Sequence, residues 1–260
     1  MLSYQHAFHA GNAADLHKHA LLAAALEYMT RKDKALSYIE THAGRGLYDL
    51  DAPEAVKTGE AAAGVGRLLE RLPADHPLRR CVAAARTAHG PRAYPGSPWI
   101  AAHLTRAFDR LDLAELHPAE HAALTRTMPP RPNLRIHRRD GLEMAGALTP
   151  PDPRRGLMLI DPSWEVRDEY ARLSALLPKL HRKWGVGVLM LWYPVLADAR
   201  HRPMVRALRE ALPEALVHEV AFPPAREGHG MVGSGMVVVN PPWGLENEAA
   251  RLTTLFAGQA

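Results

Sequence analysis

The chain has 260 residues, 47% of them hydrophobic, enough for one large α/β domain and too apolar for a chain dominated by disorder. A formal charge of +4 with 15 histidines attracts polyanions, but many soluble enzymes are as basic, so charge alone selects no partner. A single cysteine, Cys81, excludes an internal disulfide and a cysteine-based zinc set, which is expected of a cytoplasmic protein.

No basic-then-apolar leader opens the sequence, and the longest apolar run, Val186 to Leu196, is too short for a bilayer and is interrupted by Pro194. A soluble protein is expected. Residues 13–31 read as an Ala- and Leu-rich helix with Leu22, Leu26 and Met29 on one face. ALSYIE (35–40) reads as a strand, closed by the glycine turn THAGRG. From residue 51 to 90 the composition turns to Ala, Arg and Leu with no strand pattern. Two helices, roughly 59–71 and 77–88, are predicted there, forming a small helical insertion into a core made of 1–50 and 91–260.

Strands then resume with LDLAEL (111–116), LRIH (134–137), GLMLID (156–161) and VGVLMLWY (186–193), separated mostly by helical segments. Such βα alternation predicts a parallel sheet covered on both faces. The last two strands, ALVHEVAF (215–222) and SGMVVVN (234–240), are separated by eleven residues without helical pattern, so they are predicted to pair antiparallel. The expected fold is α/β: a mostly parallel seven-stranded sheet with a terminal antiparallel pair, the Rossmann-like layout of class I methyltransferases.

Four constellations could carry chemistry. Glu40 followed by Gly44-Arg45-Gly46 lets backbone approach a nucleoside cofactor, because glycine has no Cβ, although a plain strand-to-helix turn would look the same. The third glycine of the dinucleotide fingerprint is missing, which favours S-adenosylmethionine over a nicotinamide cofactor. Glu115, after the second core strand, is placed either to accept from ribose hydroxyls or to stand solvated at a strand end. Asp140-Gly141 either faces the adenine amine of the cofactor or caps the next helix.

The most informative is Asp161-Pro162-Ser163-Trp164, close to the [Asp/Asn/Ser]-Pro-Pro-aromatic pattern of amino-methyltransferases, with Ser163 in place of the second proline. The lone pair of adenine N6 is delocalised into the ring. A carboxylate and a proline carbonyl accepting its two hydrogens restore density at nitrogen, and the aromatic ring stacks on the extruded base. Asn240-Pro241-Pro242-Trp243 fits the pattern literally, but it ends the last strand, where the cofactor cleft should not lie. His76, His89, His121, His181 and His201 read as solvated surface residues, and no histidine pair has metal-ligand spacing, so no metal is implied. Arg92, Arg135, Arg138 and Arg139 are candidate phosphate contacts, each also readable as part of a solvated charged face.

With MLSYQHAFHAGNAADLHKH, THAGRG, YPGSP, ELHP, LIDPSW, LWYP and SGMVVVNPPW in this order, the sequence closely resembles, nearly end to end, the bacterial 23S rRNA adenine-N6 methyltransferase family called RlmJ. The resemblance implies S-adenosyl-L-methionine as methyl donor and 23S ribosomal RNA as partner, with no metal, no membrane and a monomeric enzyme. Carried over by motif, Asp161, Pro162 and Trp164 would be catalytic. His19, His42, Gly44, Ser97, Glu115, Asp140 and Gly141 would hold the cofactor, with Lys18 and His19 reaching its carboxylate by charge or hydrogen bonding. Tyr4 would contact the RNA. The residues alone leave open a DNA adenine methyltransferase, a nicotinamide-dependent oxidoreductase and a binding-only relative weakened at Ser163.

Overall fold

The computed structural model describes residues 6–165, 168–225 and 230–258. Asn12 opens the first helix, α1 (Ala13–Thr30), by accepting the Asp15 backbone N–H on its side chain at 2.8 Å. This helix is buried on nearly every side, which its Ala- and Leu-rich sequence permits. Strand β1 (Ser37–Glu40) follows, then a short strand β2 (Leu47–Asp49).

Helix α2 (Pro53–Thr58) comes first, and α3 (Glu60–Ala63), α4 (Val65–Leu68) and a 3-10 turn (Leu69–Arg71) stand where one helix over 59–71 was expected. Gly64 explains the break. It lies so close to the first turn of α1 that a Cβ there would come within 2.3 Å of the Gly11 carbonyl, and the adjacent Val65 N–H donates to that carbonyl at 2.8 Å. Helix α5 (Pro77–His89) matches its expected span and packs on α1. Strand β3 (Ala93–Pro95) then pairs antiparallel with β2, a ribbon the sequence reading did not anticipate.

The remaining elements are α6 (Ser97–Leu104), β4 (Arg110–Ala114), α7 (Pro118–Thr127), β5 (Leu134–His137), α8 (Gly141–Leu148) and β6 (Gly156–Ile160). After these come α9 (Asp168–Lys183), β7 (Val188–Leu196), α10 (Arg202–Ala211), β8 (Leu216–Ala221), β9 (Met231–Val239) and α11 (Leu245–Ala257). The seven-stranded sheet runs β5-β4-β1-β6-β7-β9-β8. Strands β5, β4, β1, β6 and β7 are mutually parallel, and β9 is antiparallel to both its neighbours. This is the expected Rossmann-like arrangement.

Alternation along the strands divides the core. Tyr38, Leu157, Leu159 and Met190 face one buried cluster with α1, α5, α6 and α11, while Ile39, Met158, Ile160 and Leu191 face a second with α8, α9 and α10. Truncating one of these fully buried leucines to alanine costs about 2–5 kcal/mol. Successive strands lie on opposite sides of β1, with β4 to one side and β6 to the other, so a crevice opens beyond the carboxyl ends of these three strands. Among the described residues no helix is long and apolar enough to cross a membrane.

Candidate functional site

At that crevice is a cleft of 440 Å³, within the usual range for small-molecule sites. His19, His42, Gly44, Ser97, Glu115, Asp140, Gly141, Asp161, Pro162, Trp164 and Lys18 all line it. These residues come from six separate stretches of chain, so only the fold brings them together. Tyr4 lies outside the described residues.

Beyond the ends of β4 and β5 the cleft is bounded by carboxylates. Glu115 accepts the Gly44 N–H on Oε2 at 2.8 Å and the His117 N–H on Oε1 at 2.7 Å. Burial pushes its carboxyl up from the ordinary range, and those two donors offset part of the rise. Gly44 has φ +61°, the left-handed region, which turns its N–H toward Glu115. Asp140 caps α8, accepting from Leu142 and Glu143 on Oδ1, and also lines the cleft with Arg172 3.7 Å away. Capping engages only Oδ1, so a role for Oδ2 toward a ligand is compatible with it. Gly141 packs on the end of β1, where a Cβ would come within 1.7 Å of the Thr41 carbonyl.

Glu40 is fully buried beneath the cleft, taking hydrogen bonds from Ser97 Oγ at 2.5 Å and Tyr38 Oη at 2.8 Å. Burial pushes its carboxyl up to about 8. His42 bonds Thr41 through Nδ1, and burial lowers it to about 4. His19 bonds the Tyr94 hydroxyl at 2.8 Å, and burial lowers it to about 3. Both imidazoles are therefore neutral near pH 7. Of the two expected ways for His19 to meet an anionic ligand, charge or hydrogen bonding, its low pKa leaves hydrogen bonding.

Lys18 differs: it keeps its charge and directs it to two protein carboxylates. Its ammonium donates to Asp161 Oδ2 at 2.5 Å and pairs with Asp15 Oδ1 at 3.0 Å, 5.5 Å from the centre of the Trp192 ring. Burial alone would lower its pKa, but the two carboxylates outweigh burial and hold it above the ordinary lysine value. With Lys18 on Oδ2, Asp161 Oδ1 has no hydrogen-bond partner among the described residues. Trp164 sits at φ +58°, a conformation costing a non-glycine residue about 1–3 kcal/mol. Its ring contacts Tyr170 at 4.5 Å between centroids.

The residues fit a nucleoside-type methyl donor: a hydrogen-bond-accepting carboxylate at Glu115 for a diol, a second at Asp140 for an amine, and a glycine approach at Gly44. A family model described as ribosomal RNA large subunit methyltransferase D, RlmJ, matches residues 33–259. The chain belongs to the RlmJ family. It is 37% identical over 253 residues to ribosomal RNA large subunit methyltransferase J of Haemophilus influenzae, covering 95% of this chain and 90% of that protein. The enzyme of the same name from Escherichia coli K12 is 38% identical over 252 residues, with the same coverage. A crystal structure of a Legionella pneumophila protein aligns with TM-score 0.84 at 35% identity, covering 95% of this chain and 94% of that one.

This RlmJ-family chain uses Asn240 differently from the motif it imitates. Asn240 donates its side-chain amide to the carbonyls of Gly185 and Gly187, fastening the α9–β7 turn at the amino end of β7, away from the carboxyl ends that border the cleft, and Trp243 is exposed outside the cleft. Two of the histidines expected on the surface are buried. His76 caps α5 and meets Glu248 at 3.1 Å, while His201 stacks on Tyr193. Arg92 is paired with Asp51, whereas Arg135, Arg138 and Arg139 are exposed, the last two directly before Asp140.

Sequence reasoning missed Asp15, Trp192 and Arg172, all of which line the cleft. Asp15 carries no local signal, since a carboxylate in the first turn of a helix is ordinary. Among the described residues, no group of three or more His, Cys, Asp or Glu could hold a metal ion.

Proposed function

We propose that the protein transfers a methyl group from S-adenosylmethionine to the N6 amine of an adenine in 23S ribosomal RNA. The observation that carries this reading is a single cleft uniting Asp161-Pro162 and the Trp164 ring with the carboxylates of Glu115 and Asp140. Residues 51–90 are read as an insertion that backs this core, and the enzyme as a cytoplasmic monomer. The curated relatives carry the name of large-subunit ribosomal RNA methyltransferase, which supports an RNA substrate.

In this mechanism the donor, when bound, supplies an electrophilic methyl group on a sulfonium. Glu115 would accept from its ribose, Asp140 and Gly141 would hold its adenine, and His42, Gly44, Ser97 and His19 would complete the enclosure. The target adenine leaves its stack and lies against Trp164. Asp161 Oδ1 and the Pro162 carbonyl accept the two N6 hydrogens, so the nitrogen lone pair is turned to the methyl carbon. Lys18 fixes Asp161 by holding Oδ2. Asp161 Oδ1 then receives the proton that the methylated amine sheds. Orientation and fixed charge provide the acceleration.

Arg138 and Arg139, with Arg172 at the lip, would draw RNA phosphates to the cleft mouth. Methylation of an unmodified RNA and of DNA of the same sequence, compared under equal salt, tests the substrate class. Transfer to RNA alone is expected; equal or better transfer to DNA overturns it.

A further inference from the structure

Asp15 lies on the first turn of α1, within the N-terminal block but far in sequence from the loop after β6, and it is 1% exposed and fully hydrogen-bonded. Its Oδ2 accepts the Gly11 N–H at 2.8 Å and meets His6 Nε2 at 2.8 Å. Its Oδ1 meets the Lys18 ammonium at 3.0 Å and stands 3.9 Å from His19 Nε2. Lys18 in turn spans to Asp161 at 2.5 Å. A buried carboxylate–ammonium–carboxylate line therefore joins the N-terminal turn of α1 to the loop after β6.

Both ends of this line are needed for geometry. An ammonium has three donors on a flexible four-carbon stem and no intrinsic orientation. Gripped by Asp161 alone it could swing about that carboxylate, and the carboxylate could rotate with it. Asp15 is itself fixed by a backbone N–H and by the helix that carries it. Trp192 closes a third side of the ammonium, and its indole N–H is fixed in turn by Ser234 Oγ at 2.9 Å.

We infer that Asp15 is a positioning residue for methyl transfer: by anchoring the Lys18 ammonium it sets which oxygen of Asp161 faces the target amine. Asp15 touches neither substrate nor donor in this scheme; it acts through Lys18. The inference rests on the reading of Asp161 as the group that engages N6. Burial alone would raise the Asp15 carboxyl, but His6 and Lys18 around it hold it well below the usual carboxylate range, so it remains anionic wherever the enzyme works.

The test is Asp15→Asn, which keeps the shape and an acceptor for Gly11 N–H, assayed with the full-length protein and 23S rRNA. Misdirecting a reacting group by a fraction of its contact distance is expected to lower kcat about 10²-fold while the KM for S-adenosylmethionine stays within about twofold. An unchanged kcat, or a parallel loss of cofactor affinity, overturns the inference. The Lys18→Met background provides the second arm, read by single-turnover rates. There the double variant, which carries no unpaired lysine charge, is expected to match Lys18→Met within about twofold, since Asp15 has nothing left to hold. A further large loss in that background shows that Asp15 acts otherwise and overturns the inference even where the single variant is too unstable to assay. Asp161→Ala separates the two levels. Activity surviving in Asp161→Ala removes the underlying reading, whereas its loss alongside a fully active Asp15→Asn removes this inference alone.

Discussion

Lys18 and Asp161, 143 residues apart in sequence, meet at 2.5 Å with both side chains largely buried, and the ammonium occupies only Oδ2 of the carboxylate. A charged pair in that setting is costly to desolvate and weak evidence for stability. Its value is directional: it ties down Oδ2 and leaves Oδ1 without a hydrogen-bond partner among the described residues, open to an amine donor.

Replacing Asp161 with alanine should therefore lower kcat by about 10²–10³-fold or more, with the affinity for S-adenosylhomocysteine changed by less than about threefold. Calorimetry alongside the methyl-transfer assay checks this. Equal losses of affinity and rate would reassign Asp161 to cofactor binding.

Glu115 offers the opposite emphasis. Hydrogen bonds to a charged acceptor contribute about 1.5–3 kcal/mol, so Glu115→Ala should weaken S-adenosylhomocysteine binding by about 10–100-fold. The variant also removes the acceptor of the Gly44 N–H, leaving the glycine turn unanchored. Binding within twofold of wild type, measured by calorimetry, would take Glu115 out of the cofactor site.

The sheet topology was readable from the alternation of apolar runs, because strands buried on both faces, such as GLMLI of β6, carry a signal that survives without neighbours. The ends of the strands also identified Glu115, Asp140 and Asp161, since ligands gather there in such sheets. Asp15 was not legible. A carboxylate in the first turn of a helix is ordinary there, and only the fold brings Asp161 against its lysine. His19 and His42 reached the site through the family resemblance alone, and their neutrality is a consequence of burial that no local pattern encodes. The break at Gly64 and the β2–β3 ribbon depend on backbone approaches between distant segments, invisible in a window of ten residues.

Glu40 provides a pH prediction. Its folded pKa of about 8 lies above the ordinary value of 4.5, so the folded state holds a proton that the unfolded state releases between these limits. The resulting stability is fully present below pH 4.5 and is lost as pH rises through 8. The low-pKa histidines still titrate in the unfolded state above pH 6.5, but equally in both proteins, so the melting temperature should fall more steeply, or rise less, in wild type than in Glu40→Gln. Parallel melting curves from pH 6.5 to 9, followed by calorimetry, would remove Glu40 as the source.

Asn240 tests the discarded motif. Asn240→Ala loses two hydrogen bonds to the α9–β7 turn and places a Cβ-branchless but still non-glycine residue at φ +53° without asparagine's local compensation. Stability should fall by about 1–3 kcal/mol with kcat unchanged. A selective loss of kcat in a fully folded variant would return Asn240-Pro241-Pro242-Trp243 to consideration as the catalytic loop.

The most direct measurement is methyl transfer from S-adenosylmethionine to unmodified bacterial 23S rRNA, followed by digestion and mass spectrometry of the nucleosides, with Asp161→Ala beside the wild type. N6-methyladenosine formed by the wild type and absent with Asp161→Ala is the expected result. A methyl group on another atom or base, or N6-methyladenosine formed equally by Asp161→Ala, would contradict a cleft built around Asp161 for the adenine amine.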